Sequence, residues 1–166
     1  MSAVSDRPSA SGSSAIPRAV LYAWLAAGTL DICAAMLTST LRGGSATGVL
    51  RAVASGVLGK AAIGGGGDVA ALGLFLHFFI MLAIAAIYWL AAQRLPWLLQ
   101  KPWLCGPLYG IAVYAVMNIV VLPLSAIAFT PAYNLVTLGI GIPTHMVCVG
   151  LPIALIVSRL ARPAAT

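Results

Sequence analysis

The sequence predicts an all-α membrane protein of four transmembrane helices. Three observations carry that prediction. The 166-residue chain is 61% hydrophobic and only 7% charged, whereas ordinary soluble domains carry roughly 25% charged residues. The apolar residues fall into four long runs, about 19–41, 69–92, 103–128 and 136–160. At 1.5 Å rise per residue, each run is long enough to cross a hydrocarbon core of roughly 30 Å. Finally, the basic residues stand singly at the ends of those runs, where they meet phospholipid headgroups. They do not form the aromatic-interleaved cluster of a nucleic-acid groove, so no nucleic-acid partner is expected. The lipid bilayer is the expected surrounding partner.

Residues 1–18 are rich in Ser, Ala and Pro and lack periodicity, which predicts a disordered tail. The first apolar run could be mistaken for a secretory signal. It is longer than the usual apolar region of about 7–15 residues, and it contains Asp31. The reading is therefore an uncleaved first span within a single membrane domain, 19–161. A carboxylate facing lipid costs about 2.5–3.5 kcal/mol on insertion scales, so Asp31 is expected to face the bundle interior.

The long connection 42–68 is bounded by Gly43-Gly44 and by the run Gly64 to Gly67. Within it Leu50, Val53, Ala54, Val57 and Ala61 recur at helical spacing, with Arg51 and Ser55 opposite. This describes a short amphipathic insert, about 46–63, too short to span. It is expected to lie in the membrane interface or to fold over the mouth of the bundle.

The second span holds one ionisable side chain, His77. A short connection holding Arg94, Pro96, Trp97, Lys101 and Pro102 makes the second and third spans antiparallel neighbours. The third span contains Asn118 as its polar residue, with Pro123 predicted to kink its far half. Its Gly106 and Gly110 form a Gly-x-x-x-Gly pair that lets another helix approach closely, in the chain, in a homodimer or in a second membrane protein. The fourth span contains His145, with Pro143 and Pro152. Each proline frees the carbonyl four residues earlier, at Gly139 and Cys148. Thr144, another helix or water is the expected partner.

Six basic residues (Arg7, Arg18, Arg94, Lys101, Arg159, Arg162) fall on the side of the termini, against three (Arg42, Arg51, Lys60) on the other. By the positive-inside rule both termini are cytoplasmic.

The spans also repeat a pattern. Gly73 to His77 matches Gly141 to His145, both Gly-x-x-x-His, and Asp31-Ile32 matches Asn118-Ile119. Two tandem helical hairpins related by an axis along the membrane normal would produce this arrangement. The four polar residues Asp31, His77, Asn118 and His145 are then expected to meet inside the bundle. Such a cluster points to small-solute or proton transport. The alternative is an accessory or structural subunit in which the cluster only fixes helix packing. Axial haem ligation by the two histidines, or a minimal three-ligand zinc site with Asp31, are further alternatives. Otherwise no metal or cofactor is expected. Of the three acidic residues none is Glu, and no Gly-x-Ser-x-Gly or His-Glu-x-x-His motif occurs, so the chain does not read as an enzyme. Cys33, Cys105 and Cys148 are odd in number and unpaired by any CxxC spacing; they read as small buried hydrophobes.

Three stretches carry a resemblance. They are Arg51 to Gly59, Gly73 to Phe78, and Leu108-Tyr109-Gly110 through Met117-Asn118 to Leu122-Pro123-Leu124. Together they resemble a widespread group of small bacterial inner-membrane proteins with no established activity. The resemblance spans roughly residues 20–160 and implies a four-helix membrane protein, without implying a reaction.

Overall fold

The computed structural model describes residues 17–127 and 134–161. They form six helices and, among the described residues, no strand. The long helices are α1 (Arg18–Leu41), α3 (Gly67–Arg94), α5 (Pro102–Leu124) and α6 (Leu135–Leu160), each long and apolar enough to cross a membrane. The chain is a multi-pass membrane protein. Helix α2 (Ala46–Leu58) is the insert and runs into a 3-10 turn, Gly59–Ala62. A short α4 (Trp97–Gln100) lies in the connection that the sequence reads as plain loop. The predicted tail lies outside the described residues except for Pro17 and Arg18, and Arg18 already opens α1.

Helix α1 packs on α3 and on α6, and α5 packs along α6. The order around the bundle is therefore α3–α1–α6–α5, and the ring is loose between α3 and α5. There the backbones stay apart around a groove of about 340 Å³, lined among others by Phe79, Ile84, Ala112 and Val116. Tyr109 bridges the two helices: its Oη donates to the Ile84 carbonyl at 2.7 Å, and its ring lies 4.9 Å from that of Tyr88.

The core occupies the half of the bundle nearest the termini. Val20, Ala23 and Ala27 of α1 meet Ala85, Tyr88 and Ala92 of α3 and Val149, Ile153, Ala154 and Val157 of α6. The small residues repeat at helical spacing, so backbones approach closely there. Trp24 ties α1 to α3 by donating Nε1–H to the Phe78 carbonyl at 2.6 Å.

Helices α5 and α6 approach closely at Gly106 and Gly110. A methyl group on Gly106 would lie 2.8 Å from Leu151 Cα, and one on Gly110 would lie 2.7 Å from Met146 Cα. Gly150 of α6 completes the contact from the other side. The glycine pair thus packs against α6 of the same chain, and that face is not open to a second copy.

Two wide turns interrupt the spans. Met117–Val121 in α5 and His145–Gly150 in α6 adopt π-helical geometry. Each ends at a Leu-Pro step, where Leu122 N–H bonds to the Met117 carbonyl and Leu151 N–H to the Met146 carbonyl. Proline removes the amide that a regular turn would use and crowds the carbonyl four residues back; widening the turn relieves both. Pro123 lies in the outer half of α5, directly after the π turn. It sits in the last turn of α5, which ends at Leu124 with Ser125 extended, shorter than the predicted end at 128.

Helix α2 folds across the bundle. It packs mainly on α3, where Gly73 leaves room for the backbone of Leu50, and also touches α1. Ala126, just past α5, donates its N–H to the Gly56 carbonyl at 2.9 Å. Its faces differ from the amphipathic reading: Ser55 is fully buried, while Val57 and Leu58 are exposed. Ser55 is tolerated inside because its hydroxyl donates to the Ala52 carbonyl at 2.7 Å.

Candidate functional site: two cavities joined at Asp31 and His145

The half of the bundle beside the insert is not filled by core residues. Between α1 and α6 lies a vestibule of about 620 Å³. One wall is a stripe of α1: Asp31, Ala34, Ala35, Thr38 and Arg42. The other is a stripe of α6: Thr137, Ile140, Gly141, Thr144 and His145. Both follow the i, i+3, i+4, i+7 spacing of one helix face. Small and hydroxyl side chains leave space and supply hydrogen-bonding groups, while Arg42 and Gly44 stand exposed at its rim.

Deeper lies a second cavity of about 80 Å³, lined by Asp31, Val53, His77, Ile80, Met81, Ile84, Val113, Met117, His145 and Val149. Val53 brings the insert into its wall. Asp31 and His145 line both cavities, and His77 lines only the second. Three of the four predicted cluster residues therefore converge.

Asn118 lines neither cavity. Its Nδ2 donates to the Tyr114 carbonyl at 2.8 Å. The residue of α5 that faces the small cavity is its neighbour Met117, one turn beyond Val113. Asn118 continues the Tyr114 edge of the helix instead, and it sits in the π turn, where helix phase departs from a regular 3.6 repeat. Matching Asn118 to Asp31 by spacing thus does not carry over to position.

Each histidine points one ring nitrogen at a carbonyl. His77 Nε2 is 2.9 Å from the Gly28 carbonyl of α1, and His145 Nδ1 is 3.0 Å from the Gly141 carbonyl of its own helix. A carbonyl only accepts, so each of these nitrogens carries the proton. Among the described residues the other ring nitrogen of each histidine makes no hydrogen bond. His77 also ties α1 to α3, and Gly28 is needed there, since a methyl group on it would lie 2.7 Å from the Phe78 ring. His145 is held edge-on by Tyr114, ring centroids 5.2 Å apart. Gly141 admits that tyrosine, as Gly73 admits α2. The two Gly-x-x-x-His stretches therefore share the use of glycine but not the partner.

Asp31 is half-buried, accepts no hydrogen bond and makes no ion pair among the described residues. It lies mid-helix in its span, whereas Asp68, the other acidic residue of the spanning helices, sits in the first turn of α3.

The residues do not fit the two metal readings. Between the histidines there is room for two or three waters at about 30 Å³ each, not for a porphyrin, and His77 Nε2 is already engaged. Among the described residues no group of three His, Cys, Asp or Glu side chains is placed to hold a metal ion. Thr144, expected to satisfy a carbonyl freed by proline, donates instead to the Ile140 carbonyl at 2.7 Å.

Thr38, Arg42, Thr137 and Thr144 also line the vestibule, a role not assigned to them from sequence. Their signal was present as two polar stripes on α1 and α6, each in phase with the residue already singled out. No family model, curated protein or solved structure matches this chain.

Proposed function

We propose that this is a bacterial inner-membrane protein that admits protons or a small basic solute from the periplasmic side to Asp31 and His145. The observation that carries the reading is the half-buried carboxylate of Asp31, without a hydrogen bond or ion pair among the described residues, where two cavities adjoin. An ionisable group inside a membrane bundle is expensive unless water or a ligand reaches it. The vestibule supplies access, and its volume falls in the range of small-molecule sites, about 300–1,000 Å³.

The distribution of basic residues, six against three, supports cytoplasmic termini, so the vestibule would face the periplasm. The packed core then closes the cytoplasmic half. Passage through the bundle requires that half to loosen, and the π turns of α5 and α6 are places where helix geometry is already irregular.

In this reading Asp31 takes the proton or the cationic group of the solute. His145 passes a proton through the ring nitrogen not held by Gly141, and His77 stands at the closed end. The test is uptake into proteoliposomes containing a trapped pH-sensitive dye, with wild type and Asp31→Asn compared under an imposed proton gradient. Gradient dissipation by wild type and none by the variant is the expected result. Equal traces for wild type, variant and empty liposomes would overturn the reading.

A second reading, an accessory membrane subunit, is supported by the loose seam between α3 and α5. A transmembrane helix of another protein could fill it. Copurification of a stoichiometric partner from native membranes, lost on Ala112→Trp, would favour that role.

A further inference from the structure

A second polar site lies on the insert, away from the vestibule. Among the described residues, Arg51 Nε is the one buried side-chain nitrogen or oxygen with no hydrogen-bond partner. Arg51 lines a notch of about 250 Å³ together with Gly48, Ala52, Ser55 and Ile63. Gly48, Arg51, Ala52 and Ser55 form one stripe of α2 at i, i+3, i+4, i+7 spacing, and Ile63 closes the notch from the segment leading back to α3. The glycine leaves the space open beside the guanidinium. Among the described residues no carboxylate lines the notch.

A half-buried guanidinium without an acceptor is costly. Its planar fork of N–H groups matches the paired oxygens of a phosphate. Helix α2 follows directly on the end of α1 and precedes the start of α3. That places the notch at the level of the span ends, where lipid phosphates are concentrated.

We propose that the Arg51 notch binds a phosphate-type oxyanion, carried by a lipid headgroup or free in solution. This site is independent of the transport reading, since none of its residues lines either cavity at Asp31.

The test uses the full chain in neutral detergent, followed by native mass spectrometry and thermal melting. The probes are phosphatidylglycerol, a phosphate-free galactosyl diglyceride and inorganic phosphate, each added separately. Wild type is expected to retain phosphatidylglycerol at least fivefold more than Arg51→Gln, with the galactolipid retained equally by both. Arg51→Lys, which keeps the charge and loses the fork, is expected to fall between them. Lys60→Gln, an exposed change outside the notch, is expected to behave as wild type. Stabilisation by inorganic phosphate alone, abolished in Arg51→Gln, would identify free phosphate as the source and uphold the site. Equal responses of wild type and Arg51→Gln to both phosphate probes would overturn it. If Arg51→Gln does not fold, the same comparison is made with Arg51→Lys, and phosphate responses equal to wild type would overturn the bidentate site.

Discussion

Asp31 of α1 and His145 of α6 each line two cavities at once, the vestibule beside the insert and the small cavity that reaches His77. The two residues come from opposite ends of the chain and meet because α1 packs directly on α6.

Asp31→Asn is expected to lower proton or solute flux at least tenfold while leaving the fold intact. The amide is nearly the same size, and among the described residues no hydrogen bond or ion pair of the carboxylate is lost. Unfolding stability, followed by circular dichroism in detergent, should stay within about 1 kcal/mol of wild type, because a change that breaks no contact usually has a small effect. A loss of flux accompanied by a collapsed melting transition would show that Asp31 is needed for the structure rather than for passage.

Gly110→Ala is expected to destabilise the bundle by about 1–3 kcal/mol, the usual penalty for forcing a methyl group into a packed interface. The added carbon would meet the backbone of His145 and Met146, neither of which can swing aside. Gly139→Ala is the control. Nothing lies within 4 Å of its methyl position, and alanine favours helix over glycine by about 1 kcal/mol. Thermal melts of the two variants should move in opposite directions.

Tyr109→Phe removes the hydroxyl that joins α5 to the Ile84 carbonyl of α3. A single neutral hydrogen bond contributes about 0.5–1.5 kcal/mol. The larger consequence is expected in the seam, where the backbones are held apart. Double electron–electron resonance between labels on α3 and α5 should report a broader distance distribution than in wild type.

Val53→Trp places an indole in the wall of the small cavity, whose volume is about 80 Å³. Flux should be blocked, while thiol labelling of a cysteine placed at Thr38 in the vestibule should persist. Native Cys33, Cys105 and Cys148 are all free thiols, so they must be replaced first. Loss of labelling at position 38 as well would mean that the insert had moved as a whole and closed the vestibule.

Much of the site was legible before any fold was known. Asp31, His77 and His145 each interrupt an apolar run, and the cost of burying them predicts an inward orientation. The same logic does not place Asn118, which donates to the Tyr114 carbonyl of its own helix. The π turn around it shifts the phase on which depth matching relies. The glycine pair was recognised as a contact surface, yet spacing alone could not say whether α6 or another molecule would fill it. The insert is the helix its periodicity predicts, with Leu50, Val53 and Ala54 turned inward, but Ser55 is buried as well, its hydroxyl on the Ala52 carbonyl, while Val57 is exposed.

The sequence by itself determined that the chain crosses a membrane four times and carries three ionisable groups too costly to face lipid. Hydrophobic run length and the price of burying charge are local properties, readable residue by residue. Only the tertiary structure decided which helices touch, that α1 lies on α6 while α3 and α5 stay apart, and therefore that Asp31 and His145 share two cavities. Those outcomes depend on backbone approach at glycines, on helix phase through the π turns, and on where the insert comes to rest. They are set by contacts between segments distant in the chain, which no local pattern encodes.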